Sequence, residues 1–420
     1  MNTFRAFRSF NYTLYFTGRS ISQFGTWMQR TAVIWVVYTI THSAFLIGIT
    51  IFAEQIPSFL FSFIGGAAAD RYNKYRIIKI TQIASMIQSV LLAALVLTNH
   101  TMVWAILTLS VLLGIINGFD VPARQSLIHE VVADQEDLPN AVSLTTAMAG
   151  LAQLLAPALS GIILKEWGAA ACFFVNAASF AGVYISMVLM THPPYVPKNT
   201  RKKVITEFVE GFAYLKKAPG IGMMILMVSI VSLLVLPYNT VLPVFAKVVF
   251  KGDASTYGYI TSFVGVGGVI GTIFLASRKP NTNLKRILLV STIIMSLGMI
   301  GFSRVHNFPV AMFFAVLMGY GGMAQWTVCN IVVQSESAPE MRGRAIGILL
   351  MAIFGMLPVG SVLTGAISQY IGAPATVLAE GVISLAIAVV FARFLIGRSK
   401  SKELKDNLEI AETEDTIVER

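Results

Sequence analysis

The sequence is short of charge and nearly without cysteine. Asp, Glu, Lys and Arg make up 12% of its 420 residues, about half the share of a soluble chain, so a large water-facing surface is excluded. Its two cysteines, Cys172 and Cys329, both fall inside apolar runs; they support no disulfide framework and read as packing residues. No G-x-x-x-x-G-K-S/T loop occurs, which argues against an ATP-driven motor within the chain. No His/Cys metal spacing and no nucleophile elbow is present, so the expectation is no enzyme, no metal and no cofactor. The first ten residues are short and basic, and the apolar run after them is too long and too polar-faced for a cleavable leader.

What the chain has is apolar length. Hydrophobic residues are 55% of the total and the mean hydropathy is +0.72. A membrane-spanning helix needs about 20 mainly apolar residues. Twelve such runs are predicted, at 11–40, 44–68, 77–97, 102–123, 139–165, 169–190, 220–246, 256–277, 284–303, 309–333, 344–368 and 373–396. Their long interruption, 191–219, holds four prolines and six Lys/Arg, and its second half reads as an amphipathic helix on the membrane surface. The expected organisation is therefore an all-α membrane protein in two six-helix bundles. An N-terminal bundle occupies 1–190, a cytoplasmic linker 191–219, a C-terminal bundle 220–397 and a polar cytoplasmic tail 398–420.

Orientation follows from basic residues in the loops. With both termini cytoplasmic, 25 of the 31 Lys and Arg lie on the inner side. The net charge of +10 is thus a matter of topology, and no nucleic-acid partner is expected. The halves also repeat. The segment from Ala141 aligns with that from Ala345 at an offset of 204, placing Gly161 on Gly365, Gly168 on Gly372 and Ala169 on Ala373. Parallel six-helix repeats around a midplane site are a transporter architecture.

One stretch asks for more than topology. "GGAAADRYNKYR" (65–76) breaks from small residues into an Asp and a cluster of bases. Small residues let a membrane helix approach its neighbour closely, but a lone Asp is unnecessary for orientation. Gly66-x-x-x-Asp70-Arg71-x-x-Lys74, with Arg76 following, resembles the signature loop of the major facilitator superfamily, and in particular its bacterial branch of transmembrane secretion effectors that includes the enterobactin exporter. "SQFGTWMQ" (22–29), "FDVPARQSL" (119–127), "LPNAVSL" (138–144) and "RGRAIG" (342–347) share in the resemblance, which spans about residues 5–395. It implies a cytoplasmic latch made by the 66–76 loop against the eleventh helix when the inner gate is closed. Asn73 stands where the family has Gly, and Tyr75 where it has a second base. Gly150, Pro157 and Gly161 resemble a reduced form of the fifth-helix motif of drug and proton antiporters, which implies export.

Ionisable residues at membrane depth are costly and usually face a cavity or a partner. Arg19, Gln23, Thr26 and Arg30 lie on one face of the first helix by their spacing, and the resemblance makes that helix cavity-lining. Snorkelling of Arg19 to the cytoplasm is the alternative. The hairpin between the first two helices places Arg30 and Glu54 at equal depth, and Glu54 is the leading candidate for proton coupling. Asp120 and Arg124 read as an ion pair at the end of the fourth helix, or as part of a gate; Asn117 lies a turn deeper. Tyr238 and Asn239 in the seventh helix and Gln325, Trp326 and Asn330 in the tenth fall where the resembled fold lines its cavity. Pro237 and Pro243 allow the seventh helix to bend. Glu380 reads as structural.

These readings converge on a secondary transporter of the bacterial inner membrane. It would be a monomer exporting a small amphipathic molecule such as a siderophore or drug, with protons as the coupling ion. The alternatives are transport of a lysolipid or another metabolite, and a membrane scaffold or sensor that binds without transport.

Overall fold

A computed structural model describes residues 4–191, 204–278 and 283–392. Helices α1 (Phe10–Thr41), α2 (Ala44–Arg71), α3 (Lys74–Leu97) and α4 (Val103–Val131) are followed by one helical stretch, Leu138–Leu189. Gly168 divides that stretch into α5 (138–167) and α6 (169–189). Then come α7 (Pro219–Val249), α8 (Ala254–Ala276), α9 (Leu284–Arg304), α10 (Phe308–Glu336), α11 (Arg342–Ile371) and α12 (Ala373–Ala392). Among the described residues, ten continuous segments are long and apolar enough to cross a membrane, and the one holding Gly168 is long enough for two crossings. The twelfth crossing is α1, whose 32 residues are ample in length but whose polar stripe lowers its hydropathy.

Helix starts are secured locally. Ser9, Ser43, Asn73, Asp253, Asn283 and Asn307 each accept a hydrogen bond from a backbone N–H of the first turn, satisfying donors that the helix itself leaves open. The sequence repeat has a backbone counterpart. Gly168 has φ 78° and ψ 176°, and Gly372 has φ 81° and ψ 156°. This region is essentially closed to residues with a Cβ. Both halves therefore turn the same corner, from α5 into α6 and from α11 into α12, on the glycine that the offset of 204 aligns.

Some helices outrun their predicted ends. The fourth, expected to stop near 123, continues to Val131. Its last two turns are held by a second core in which Leu127, Ile128 and Val131 pack with Tyr12, Tyr75 and Ile78. In α7 the α-helix ends at Leu234, a 3-10 segment covers Leu236–Val241, and a π turn covers Phe245–Val249. Pro237 and Pro243 bracket this break, since neither can donate a backbone hydrogen bond.

We call the end carrying the start of α1, the α2–α3 turn and the linker helix the linker end, and the opposite one the far end. The two sets of six helices meet closely at the far end. Atoms built as Cβ on Gly161 and Gly258 would lie 2.9 Å from the Ser255 Cα and 3.1 Å from the Gly161 Cα respectively, so α5 and α8 touch backbone to backbone. On the other seam, Gly365 of α11 faces Phe45 of α2 in the same way at 2.9 Å. Gln369 donates to the Ser43 hydroxyl, Lys165 pairs with Asp253 at 3.3 Å, and Trp35 stacks on Tyr257 with centroids 6.0 Å apart. Gly66 of α2, Gly150 of α5, and Gly343 and Gly347 of α11 have no neighbouring atom within 4 Å of a built Cβ. Among the described residues, the backbone-to-backbone contacts at Gly161, Gly258 and Gly365 thus join the two halves at the far end.

The linker helix, Val204–Lys217, packs against the linker end of α11. Glu210 pairs with Arg344 at 2.7 Å, and the Ala338 N–H donates to the Tyr214 hydroxyl at 3.0 Å. The tail expected from 398, residues 192–203 of the linker and residues 279–282 after α8 lie outside the described residues.

Candidate functional site

The polar stripe of α1 and the facing part of α2 build the centre of the N-terminal half. Arg30 Nη2 lies 2.6 Å from Glu54 Oε1. Each residue is 10 or 11 positions from the α1–α2 turn, or about 15 Å from the far end at 1.5 Å per residue. That is close to the midplane of a hydrocarbon core of about 30 Å. The guanidinium also sits 5.3 Å from the Trp27 ring centroid. Its Nε is buried without an acceptor, so the pair is held by one strong contact rather than a closed fork.

Nearer the linker end, Arg19 and Gln23 line a small cavity of about 40 Å³ with Phe16, Ser20, Thr145, Met148 and Ala149. Asp120 and Arg124 form an ion pair inside α4, not at its end. Arg124 lies seven residues before Val131, and the extra turns bury both side chains, Asp120 at 1% and Arg124 at 8% exposure. Asp120 Oδ1 also accepts from Thr81 Oγ1 at 2.7 Å and Gln82 Nε2 at 2.9 Å. Asn117 is half-buried one turn away.

In the C-terminal half the expected cavity wall is only partly realised. Asn239 is exposed, while Trp326 and Asn330 are half-buried. Trp326 meets Phe354 of α11 edge-on at 6.2 Å, and Asn330 Nδ2 donates to the Trp326 carbonyl at 3.1 Å. Tyr238 and Gln325 do not line open space; both are 3% exposed. The 3-10 break rotates Tyr238 away from the helical register that spacing assumes. Gln325 turns toward α9, where its Nε2 lies 3.8 Å from Met295 Sδ. Glu380 is buried as well, accepting from Thr364 Oγ1 at 2.6 Å and tying α12 to α11.

A model of the transmembrane secretion effector family matches residues 1–419. The chain belongs to that family. The effectors are a branch of the major facilitator superfamily, and similarity extends to curated transporters. The Staphyloferrin A transporter of Staphylococcus aureus is 26% identical over 408 residues, covering 94% of this chain and 98% of that protein. The multidrug efflux pump Tap of Mycolicibacterium fortuitum is 23% identical, over 87% of this chain and 91% of that one. Among solved structures, the nucleoside transporter NupG matches with a TM-score of 0.72 at 15% identity, over 92% of this chain and 99% of that chain. A bacterial homolog of the human lysosomal transporter Spinster, solved in an inward-facing and unoccupied conformation, gives 0.72 at 15% identity over 92% and 96%. This effector is accordingly a multi-pass membrane transporter of the efflux type that acts on small molecules, and not an enzyme.

Within the effector, the 66–76 loop joins α2 to α3 at the linker end. Asp70, Arg71 and Arg76 are exposed, and Lys74 pairs with Glu130 at the end of α4. The small residues before the loop serve the α2–α4 seam: a Cβ on Gly65 would lie 2.8 Å from the Phe119 Cα. In α5, Pro157 and Gly161 sit in the far-end contact with α8, where Ser262 Oγ accepts from the Ala158 N–H at 3.0 Å; Gly150 faces open space.

A polar network escaped the sequence reading. Gln29 Nε2 donates to Gln88 Oε1 at 3.0 Å, and Gln29 Oε1 accepts from Ser89 Oγ at 2.6 Å and Asn176 Nδ2 at 2.8 Å. It joins α1, α3 and α6 behind the cavity face. Its signal was present, as isolated amides inside apolar runs, but the reading weighted charged groups over neutral ones.

Proposed function

We propose that this effector is a proton-driven exporter of the bacterial inner membrane, moving an amphipathic small molecule such as a siderophore or drug by alternating access. In this reading the chain works as a monomer with both termini cytoplasmic. The bundles at 1–190 and 220–397 rock against each other, and the linker 191–219 joins them on the cytoplasmic side. The observation that carries the reading is the asymmetry of the two ends around a midplane ion pair. Close backbone approaches at Gly161, Gly258 and Gly365 join the two halves at the far end, Gly66, Gly150, Gly343 and Gly347 meet no such neighbour at the linker end, and Arg30–Glu54 lies between the two ends. With the linker end cytoplasmic, as the basic loops favour, this is the conformation that loads substrate from inside. The 66–76 loop re-forms its contact with α11 when that end closes.

Glu54 carries the proton in this scheme. At membrane depth a carboxylate charge is offset by a paired guanidinium and is costly once the two separate. Reconstitution into sealed vesicles tests the assignment. Glu54→Gln mimics the protonated acid, so it should keep substrate binding and exchange while losing accumulation driven by a pH gradient. Uphill accumulation with unaltered pH dependence in that variant would remove Glu54 from the coupling role. Saturable binding by the parent protein with no flux would replace the transporter reading by a scaffold.

A further inference from the structure

The linker-end half of the N-terminal bundle holds buried arginine donors that the ion pair at Arg30 does not explain. Two guanidiniums, Arg19 on α1 and Arg124 on α4, are carried on helices that pack against each other. Asp120 stands beside Arg124. Its Oδ1 accepts from Thr81 and Gln82, and its Oδ2 faces Arg124 Nη2. Arg124 is more than nine-tenths buried, and its Nε and Nη1 have no acceptor. Among the described residues Arg19 makes no ion pair or hydrogen bond, and it lies about 14 Å along α1 from its start at Phe10. Its walls are of two kinds: Gln23, Ser20 and Thr145 are polar, whereas Phe16, Met148 and Ala149 are apolar.

We propose that Arg19, backed by Arg124, binds the oxyanion of the transported molecule, making this effector selective for amphipathic organic anions. A planar guanidinium presents paired N–H donors that match carboxylate, phosphate or sulfonate geometry. Arg124, paired with Asp120 yet left with two buried donors unsatisfied, adds to the positive potential on this side of the bundle, and an incoming anion offsets it. The apolar side chains at 16, 148 and 149 receive the hydrocarbon part. The snorkelling alternative for Arg19 accounts for that side chain alone and leaves Arg124's free donors without a purpose. The inference rests on reading this cavity as the transport path, and its test needs no transport.

In protein lacking Cys172 and Cys329, Ala149→Cys supplies one thiol on the cavity wall. Its modification rates are measured in phosphatidylcholine nanodiscs with two methanethiosulfonates, the anionic ethylsulfonate and the cationic ethyltrimethylammonium, each normalised to a free thiol in solution. The normalised rate ratio should favour the anion by about tenfold or more, as expected for unit charges a few ångströms from the probe. Arg19→Gln should remove most of that preference, and Arg19→Lys should retain it, which separates charge from misfolding. Naphthaleneacetate should slow the labelling, and naphthalenemethylammonium at equal concentration should not. A ratio near one, a ratio indifferent to Arg19→Gln, or equal protection by both naphthalenes overturns the proposal. So does loss of the preference when phosphatidylglycerol replaces phosphatidylcholine, because the site would then belong to a lipid headgroup.

Discussion

Replacing Gly258 by alanine adds one methyl group where α8 crosses α5. In the far-closed structure that methyl would sit 3.1 Å from the Gly161 Cα and inside contact distance of the Pro157 carbonyl oxygen. Both obstacles are backbone, so neither can rotate away as a side chain would. Overpacking of this kind costs about 1–3 kcal/mol. The cost falls only on the conformation in which the far ends touch, so it acts on the equilibrium between the two gates rather than on folding. One to three kcal/mol corresponds to a shift of roughly 5- to 150-fold toward far-open states. Spin labels at the exposed turns His100 and His306 report the change as a longer distance between the two halves. Gly150→Ala is the matched control, since its methyl enters open space here, and it should not lengthen that distance. An unchanged distance distribution in folded Gly258→Ala, or an equal change in Gly150→Ala, would refute the argument that these glycines set the closed state.

Other expectations are more local. Asp120→Asn should lower the melting temperature markedly, because breaking a buried pair costs about 3–5 kcal/mol when the partner charge stays behind; a melting curve like that of the parent would show that water reaches Arg124. The Lys165–Asp253 pair should be insensitive to pH across the neutral range. Burial pulls the Asp253 carboxyl up, but hydrogen bonds from Ser255, Lys165 and the backbone outweigh it and hold the group below its ordinary value. A depressed carboxylate gives stability that is present above its unfolded value of about 3.9 and is lost only as pH falls through the folded one. Far-end distances that change between pH 8 and pH 5 in a variant lacking all other acids of that face, yet not in Asp253→Asn, would contradict this.

Spans and repeat were legible because hydropathy and small-residue spacing are local properties. The offset that aligned Gly168 with Gly372 marked two corners of nearly identical backbone geometry. Equal depth of Arg30 and Glu54 followed from counting residues from a hairpin; their contact at 2.6 Å depended on helix rotation, which counting leaves open. The misreadings share a cause. Tyr238 was placed by helical register, and a 3-10 segment changed the register. The end of α4 was set by the edge of an apolar run, whereas tertiary packing around Leu127 and Val131 carried the helix further. The Gln29 network stayed hidden because each amide alone looks like an ordinary core polar residue.

The contact between Arg30 and Glu54 also bears on how the chain is made. During synthesis α1 leaves the ribosome before α2, and among the described helices its composition falls short of a confident membrane span. An arginine near the centre of a lone helix opposes insertion by about 2.5–3.5 kcal/mol. Its acid follows only 24 residues later, on the helix that turns straight back from it. Insertion should therefore favour α1 and α2 entering the lipid together as a neutralised hairpin, with α1 held at the translocon until its partner arrives. A truncated α1 fused to a glycosylation reporter should span the membrane poorly, and appending α2 with Glu54 intact should rescue it more fully than α2 bearing Glu54→Ala. Equal insertion of all three would show that the pair forms only after the helices are already in place.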